Sequence, residues 1–392
     1  MPGEIGENVM AKRAKTADAK PSAAKTRAAK LDDTLDLLEK LTTVPGVPGY
    51  EQSVAAMLKE YLHTVAPAEE DRLGNVFFTH QGSSARPRIV LPAHMDEIGM
   101  MVKLVDDKGF VRFWTLGGWW SQVLLSQRVN VINGKGEKIP GVIGSKPPHI
   151  LSDEERNKVV RVEDIFIDVG ASSKDEAEKK FGIVPGDPIV PDAPFTVMAG
   201  GKRLLAKAWD DRVGVALMVR ILEELKKKGH PNTVIGCGTV QEEVGTRGAK
   251  TVAATADPDV AIVLESGISA DVPGIKPEET QGELGKGPML CILDGGMIPH
   301  RGLRDFVVET AAKTGLPYQY TSLSRGATDG RELQYAGRGV PSLYVGVPCR
   351  YIHAHQGIID RDDFDNTVKL LVEVIRALDK KAFQKMLGEG VK

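Results

Sequence analysis

Leu31, Leu35, Leu38 and Leu41 recur at helical spacing and predict a first helix over 31–41. Pro45-Gly46-Val47-Pro48-Gly49 then breaks the chain into a turn. Val54, Leu58, Tyr61, Leu62 and Val65 mark one side of a second amphipathic helix over 51–65. The run Arg88-Ile89-Val90-Leu91-Pro92-Ala93 predicts a short buried strand ending at His94. The texture then changes. Short β-like runs at 109–114, 128–132, 141–144, 164–168 and 187–190 alternate with glycine and proline, and only 173–181 has a helical pattern. This predicts a small β-rich domain over 101–203, inserted into an α/β domain made of 31–100 and 204–392. The α/β pattern resumes with a helix over 211–228 and buried-type strands over 233–240 and 260–264. A helix over 303–314, a strand over 339–347 and a long closing helix over 362–386 follow.

Residues 1–30 stand apart. They are rich in Ala and Lys and nearly free of large apolar side chains. Such a segment buries too little surface to offset its ordering entropy, which predicts a solvated basic extension. It has no apolar core of the kind a secretory signal needs.

With 392 residues the chain is long enough for more than one domain. Its formal net charge of −2 gives no electrostatic reason to expect nucleic acid or an anionic membrane as partner. No apolar run approaches the length of a membrane span. Cys237, Cys291 and Cys349 are scattered without a C-x-x-C spacing, which fits a reducing cytoplasm and no disulfide framework.

Chemistry concentrates where predicted strands end. His94-Met95-Asp96 follows the strand over 88–93, and alternation sends both polar side chains to the same side. A ligand histidine hands its second nitrogen to a carboxylate or carbonyl, a task open to Asp96. Asp210-Asp211 opens a helix, where capping explains one carboxylate more easily than two. Glu242-Glu243 ends a buried strand, where paired carboxylates are costly without a cation. On a strand the two would face opposite ways, so that one could ligate while the other holds a water. Glu265 follows Leu264, and His353 follows another apolar run. His149, His300 and His355 compete as ligands, and each carboxylate pair also has a reading as a solvated turn. Two imidazoles and several carboxylates are the ligand inventory of a site for two divalent metal ions.

Seven motifs occur in order: Pro45-Gly-Val-Pro-Gly-Tyr-Glu51, Asp71-Arg-Leu-Gly-Asn75, Ala93-His-Met-Asp-Glu-Ile-Gly99, Asp210-Asp-Arg-Val-Gly214, Glu242-Glu-Val-Gly-Thr-Arg-Gly-Ala249, Ala327-Thr-Asp-Gly330 and Tyr351-Ile-His353. In this set the chain resembles the M42 metallopeptidases, the tetrahedral or glutamyl aminopeptidases, from about residue 31 to its end. The resemblance implies an α/β fold: a mixed-sheet, phosphorylase/hydrolase-like zinc-peptidase domain carrying a small β-barrel-like dimerisation insert. It implies that His94 and Glu265 are terminal ligands of one metal, Glu243 and His353 of the other, and that Asp210 bridges both. Glu242 would be the general base and Asp96 would orient His94. The cofactors implied are two divalent ions, zinc foremost with cobalt or manganese as alternatives. The partners implied are short peptides with a free N-terminus and further copies of the chain, dimers assembling into a dodecamer. Many members carry Asp where this chain has Glu265, and the extension over 1–30 has no counterpart in the family core.

Three rival readings remain. An N-acyl-amino-acid deacylase or carboxypeptidase on the same scaffold would want a cationic pocket, which Arg325, Arg331 and Arg350 could form. A glycoside hydrolase would use Glu242 and Glu243 across a glycosidic bond. A non-catalytic assembly protein would not need Glu242. For the aminopeptidase, acidic, basic and neutral N-terminal residues are all open, with a slight lean to neutral.

Overall fold

The computed structural model describes residues 32–279, 281–323 and 325–388, so the expected extension over 1–30 lies outside the described residues. Asp32 starts α1 (Asp33–Thr43) by accepting the Thr34 and Leu35 N–H groups, two of the donors that a helix leaves unpaired at its start. Leu37, Leu38 and Leu41 are its buried stripe, and α2 (Gln52–Leu62) buries Val54, Leu58 and Leu62. β1 (Ala68–Glu70), β2 (Val76–Gln81) and β3 (Arg88–His94) follow.

The β-rich segment closes on itself. β4 (Gly99–Val105), β5 (Val111–Leu116), β6 (Arg128–Ile132), β7 (Lys138–Gly144), β8 (Phe166–Asp168) and β9 (Pro188–Pro191) form a barrel in the order β4-β5-β8-β7-β6-β9. Alternate side chains, among them Val129, Val131, Ile143 and Ile167, fill it. A four-residue α3 (Asp153–Arg156) lies between β7 and β8, and the helical pattern over 173–181 becomes one wide turn at Glu176–Lys180. The barrel strands end at Pro191. The next two, β10 (Thr196–Val197) and β11 (Arg203–Ala206), pair with the large sheet.

That sheet is completed by α4 (Trp209–Lys228), β12 (Thr233–Thr239), α5 (Ala249–Ala256), β13 (Val260–Ile268), β14 (Met289–Asp294), α6 (Arg301–Thr314), β15 (Gln319–Leu323), α7 (Gly330–Leu333), β16 (Ser342–Arg350), β17 (Gly357–Asp360), α8 (Arg361–Ala377) and α9 (Lys380–Met386). The strand order is β1-β2-β12-β3-β13-β16-β17-β11-β10, with β14 on β16 and β15 on β14. The four central strands, β12, β3, β13 and β16, are mutually parallel; β2 and β17 join them antiparallel, and β15 runs parallel to β14. Helices cover the centre on both faces, so its strands read as continuous apolar runs rather than alternating ones. Their carboxyl ends share one edge, where open α/β sheets place ligands. The closing helix is two helices. Leu378 leaves helical geometry and the Asp379 carboxylate accepts the Ala382 N–H at 2.7 Å to start α9. Among the described residues no helix is long and apolar enough to cross a membrane.

One buried cation braces this edge from behind. Arg212 is fully buried and donates to the carbonyls of Met95 (2.8 Å), Leu41 (2.7 Å), Val44 (2.9 Å) and Gly46 (3.1 Å). Glu97 lies 3.5 Å from the guanidinium and also accepts from Lys207 at 2.6 Å. The arginine thereby ties α1, the Pro-Gly turn and the His94 loop together. Arg212→Met takes a donor from four carbonyls, of which Gly46 keeps the Glu97 N–H, and strips Glu97 of a cationic neighbour; it should cost roughly 3–5 kcal/mol, the range for breaking a buried ion pair. Urea denaturation measures it, and an unshifted midpoint would refute the bracing role.

Candidate metal centre

His94 is the last residue of β3. Its Nε2 lies 3.0 Å from Asp210 Oδ1, 3.7 Å from Glu265 Oε1 and 3.9 Å from Glu242 Oε2. Its Nδ1 faces Asp96, with the backbone carbonyl at 3.0 Å and the carboxylate at 3.5 Å. A proton on Nδ1 directed at that carbonyl leaves Nε2 as the ligand atom. The Asp96 carboxylate has a second duty, accepting the N–H groups of Glu242 and Glu243 at 3.0 Å each.

The two aspartates divide their work. Both have non-helical backbone angles in the first turn of α4. Asp211 is the cap: its carboxylate accepts the Gly214 N–H at 2.9 Å and the His94 N–H at 3.2 Å. Only glycine fits at 214, because a Cβ there would stand 2.4 Å from both Asp211 oxygens. Asp210 is left free for the cluster.

Glu242 and Glu243 do not sit on a strand. β12 stops at Thr239, Gln241 takes φ 55°, and both glutamates ride on the turn that follows. The expectation of opposite-facing strand neighbours is corrected accordingly: the turn, held by Asp96, aims both carboxylates at the cluster. Glu265, expected just past a strand, lies within β13, which runs on to Ile268. His353 follows β16 with φ 57°. Its Nε2 lies 3.1 Å from Asp210 Oδ2 and 3.4 Å from Glu243 Oε2, and its Nδ1 donates to the Gly118 carbonyl at 3.0 Å. Gly118 belongs to the barrel segment.

Two ligand triads result, His94–Asp210–Glu265 and Asp210–Glu243–His353, each with its ligand atoms within 4.8 Å of one another. Asp210 is common to both. The competing histidines are elsewhere: His149 is exposed in the barrel segment, His300 accepts the Leu303 N–H at the start of α6, and His355 packs at a tilt against Trp119.

The electrostatics call for cations. Burial, reinforced by neighbouring carboxylates, holds Glu242 and Glu265 well above the ordinary range and pushes Glu243 up to about 8. Burial opposes charge on His353, yet its bond to Asp210 and the charge of Glu243 lift it to about 9. His94 rises well above its usual value for the same kind of reason, with Glu265 foremost against burial. Burial works against the Asp210 charge too, but its bonds to the two imidazoles pull it below its ordinary value. Glu243 Oε1 is buried without any hydrogen-bond partner. A buried carboxylate oxygen left unpaired beside two triads fits a divalent cation, and the mixed N/O donor set suits zinc, cobalt or manganese.

A cavity of about 510 Å³ opens on the cluster. Ile268, Leu323 and Tyr344 give it apolar wall, and Arg325 and Arg331 contribute charge. Arg350 is not part of it, being bound to Asp271 at 2.8 and 2.5 Å.

The M42 glutamyl aminopeptidase family model matches residues 74–370, a span that holds the barrel and both triads. The chain belongs to this family. Glutamyl aminopeptidase of Lactococcus lactis subsp. cremoris is 35% identical, covering 88% of this chain and 97% of that protein. The TET aminopeptidase from the marine sediment Thaumarchaeota archaeon SCGC AB-539-E09 superposes with a TM-score of 0.88 at 44% identity, covering 91% of this chain and 99% of that one. The TET1 peptidase of Pyrococcus horikoshii, which can assemble into a tetrahedron or a large octahedral shell, has a TM-score of 0.78 at 32% identity, covering 88% and 100%. This M42 chain is a metal-dependent aminopeptidase, a hydrolase of peptide bonds.

Proposed function

We propose that the enzyme removes the N-terminal residue of short peptides with two divalent ions, one held by His94, Asp210 and Glu265 and the other by Asp210, Glu243 and His353. The observation that carries this reading is Asp210, whose two oxygens meet the two histidines at 3.0 and 3.1 Å. Such ions supply Lewis acidity, polarising the scissile carbonyl and bringing the pKa of water toward neutrality.

The chain's own residues do the rest. Glu242 belongs to neither triad but lines the cavity beside them. Its carboxylate takes the proton of the attacking water and returns it to the leaving amine. Asp96 keeps that base in position through the Glu242 and Glu243 N–H groups. The buried carboxylates also offer a place for the substrate's α-ammonium, so an N-acylated peptide leaves them unmatched and is rejected. Zinc is the favoured ion, with cobalt or manganese as alternatives. The apolar wall of Ile268, Leu323 and Tyr344 supports a neutral N-terminal side chain, while Arg325 and Arg331 supply the argument for an acidic one.

Dimers joined through the barrel and assembled into a dodecamer complete this reading. Trp114, Ile150 and Val159 of the barrel segment are exposed and are open to such contacts. A cytoplasmic location accords with three buried, unpaired cysteines.

The deacylase reading loses Arg350, which is committed to Asp271, and retains only Arg325 and Arg331 for its cationic pocket. The glycosidase reading loses force because Glu242 and Glu243 ride on one turn and both line the cavity that opens on the cluster, where a glycosidase sets its two carboxylates on opposite sides of a bond. Hydrolysis of free-amine aminoacyl anilides and their N-acetyl partners, before and after chelation, tests the proposal. The expected result is turnover of free amines alone, lost on chelation and restored by Zn²⁺ or Co²⁺. Turnover restricted to the acetylated partners would overturn it in favour of a deacylase.

A further inference from the structure

A peptide cut at the cluster has two sides, and a cavity that holds its first residue accommodates only one of them. A second cavity, of about 540 Å³, meets the first along Gly118, Ile352 and His353. His353 turns Nε2 to Asp210 and Nδ1 to the Gly118 carbonyl, so these two residues form the sill between the cavities. The other large cavities, between α6 and α9, between α4 and α8, and beside residues 190–194, contain none of the cluster residues.

The walls of the second cavity have a definite character. Trp120 and Tyr351 are 60% and 55% exposed, and Val123 and Ile352 extend the apolar surface. No Lys, Arg, Asp or Glu lines it among the described residues. His355 contributes a buried ring, 4% exposed and packed at a tilt against Trp119 with 5.3 Å between centroids. The Arg128 backbone faces this ring, but neither ring nitrogen makes a hydrogen bond of ordinary geometry. Both nitrogens are shielded from the cavity, so the ring serves it as wall.

We propose that this second cavity is the subsite for the residue following the scissile bond, and that it selects a large apolar or aromatic side chain there. The inference rests on the aminopeptidase reading and names the leaving side of the same substrate. Aromatic faces at Trp120 and Tyr351 gain from stacking and from removing apolar surface from water. Without a cation in the cavity, a substrate's terminal carboxylate gains nothing there, so peptide amides are recognised as well as free peptides.

The test holds the N-terminal residue constant. kcat/KM is measured for Leu-Gly-NH2, Leu-Leu-NH2 and Leu-Phe-NH2 on the metal-loaded full chain. The leucine and phenylalanine amides should exceed the glycine amide by about tenfold or more, the discrimination that an apolar pocket gives a large side chain. Trp120→Ala should collapse the Phe/Gly ratio to within about threefold, and Trp120→Phe should keep most of it. The ratio is independent of how much of each variant is active. Equal kcat/KM across the three amides in the wild type overturns the inference, as does an unchanged ratio in Trp120→Ala. A Trp120→Ala protein that changes its mass in solution while keeping the ratio makes this wall a contact between copies, and also overturns it. Hydrolysis of none of the three, nor of their glutamyl and lysyl counterparts, by the metal-loaded enzyme would instead bring down the aminopeptidase reading itself.

Discussion

Glu242→Gln should lower kcat by about a thousandfold or more while the protein keeps its metal, because a positioned general base contributes on the order of 10²–10⁴. Glutamine has the same shape and no base. The backbone N–H of residue 242 stays on Asp96, so the turn and Glu243 remain where they are. Neither triad includes Glu242, so the ligand set is intact. The side chain is buried at the edge of the cavity, 3.9 Å from His94 Nε2, close enough to act on a water held in the cluster. Burial, reinforced by the carboxylates around it, holds its pKa well above the ordinary carboxylate range, which makes it a stronger base than a solvated glutamate. Steady-state turnover of a leucyl anilide, with metal content measured on the same sample, checks the prediction. Near wild-type kcat would sink the assignment. Lost metal together with lost activity would make Glu242 a ligand instead.

Asp210→Asn is expected to abolish activity by a different route. This one side chain contributes an oxygen to each triad, and no other residue does. The substitution removes the negative charge that both sites share and leaves an amide whose NH2 end repels a cation. Outer partners of a ligand already cost 10–100-fold in metal affinity, so loss of the shared ligand should exceed about 100-fold at both sites. His353→Ala touches one triad only and should empty one site, leaving the His94 site loaded. Metal content after dialysis, read beside calorimetric titration with Zn²⁺, separates the two variants. Two tightly held ions in Asp210→Asn would refute the bridging role.

Much of this architecture is legible in the sequence because periodicity and local chemistry carry it. The apolar runs of β12 and β13 and the leucine spacing of α1 read directly, and so does the switch to a β-rich texture near residue 100. The cluster residues read as well, since carboxylates at the ends of buried strands need an explanation that solvent does not provide. What did not read depends on contacts between residues far apart in sequence. The turn carrying Glu242 and Glu243 is set by Asp96, 146 and 147 positions away. No window of sequence contains that bond, and the strand pattern of β12 suggested continuation. The division of labour between Asp210 and Asp211 is partly local, in the Asp211–Gly214 cap, and partly remote, in the bond to the His94 backbone. The barrel's contribution to the cavities could not be read either, because Gly118 and Trp120 matter only through the way that segment docks. The break before α9 did leave a signal that periodicity overrode: Asp379 in Leu378-Asp379-Lys380 is a helix-starting residue.

The bond from His353 to the Gly118 carbonyl bears on anyone who would treat the barrel as an exchangeable module. A chimera cut at residues 98 and 192 preserves every proposed ligand on the parent sheet. It also removes the acceptor that fixes the ring of one of them, together with the sill that separates the two cavities. Grafted barrels would therefore have to be chosen for the loop after β5 before they are chosen for their outer surface.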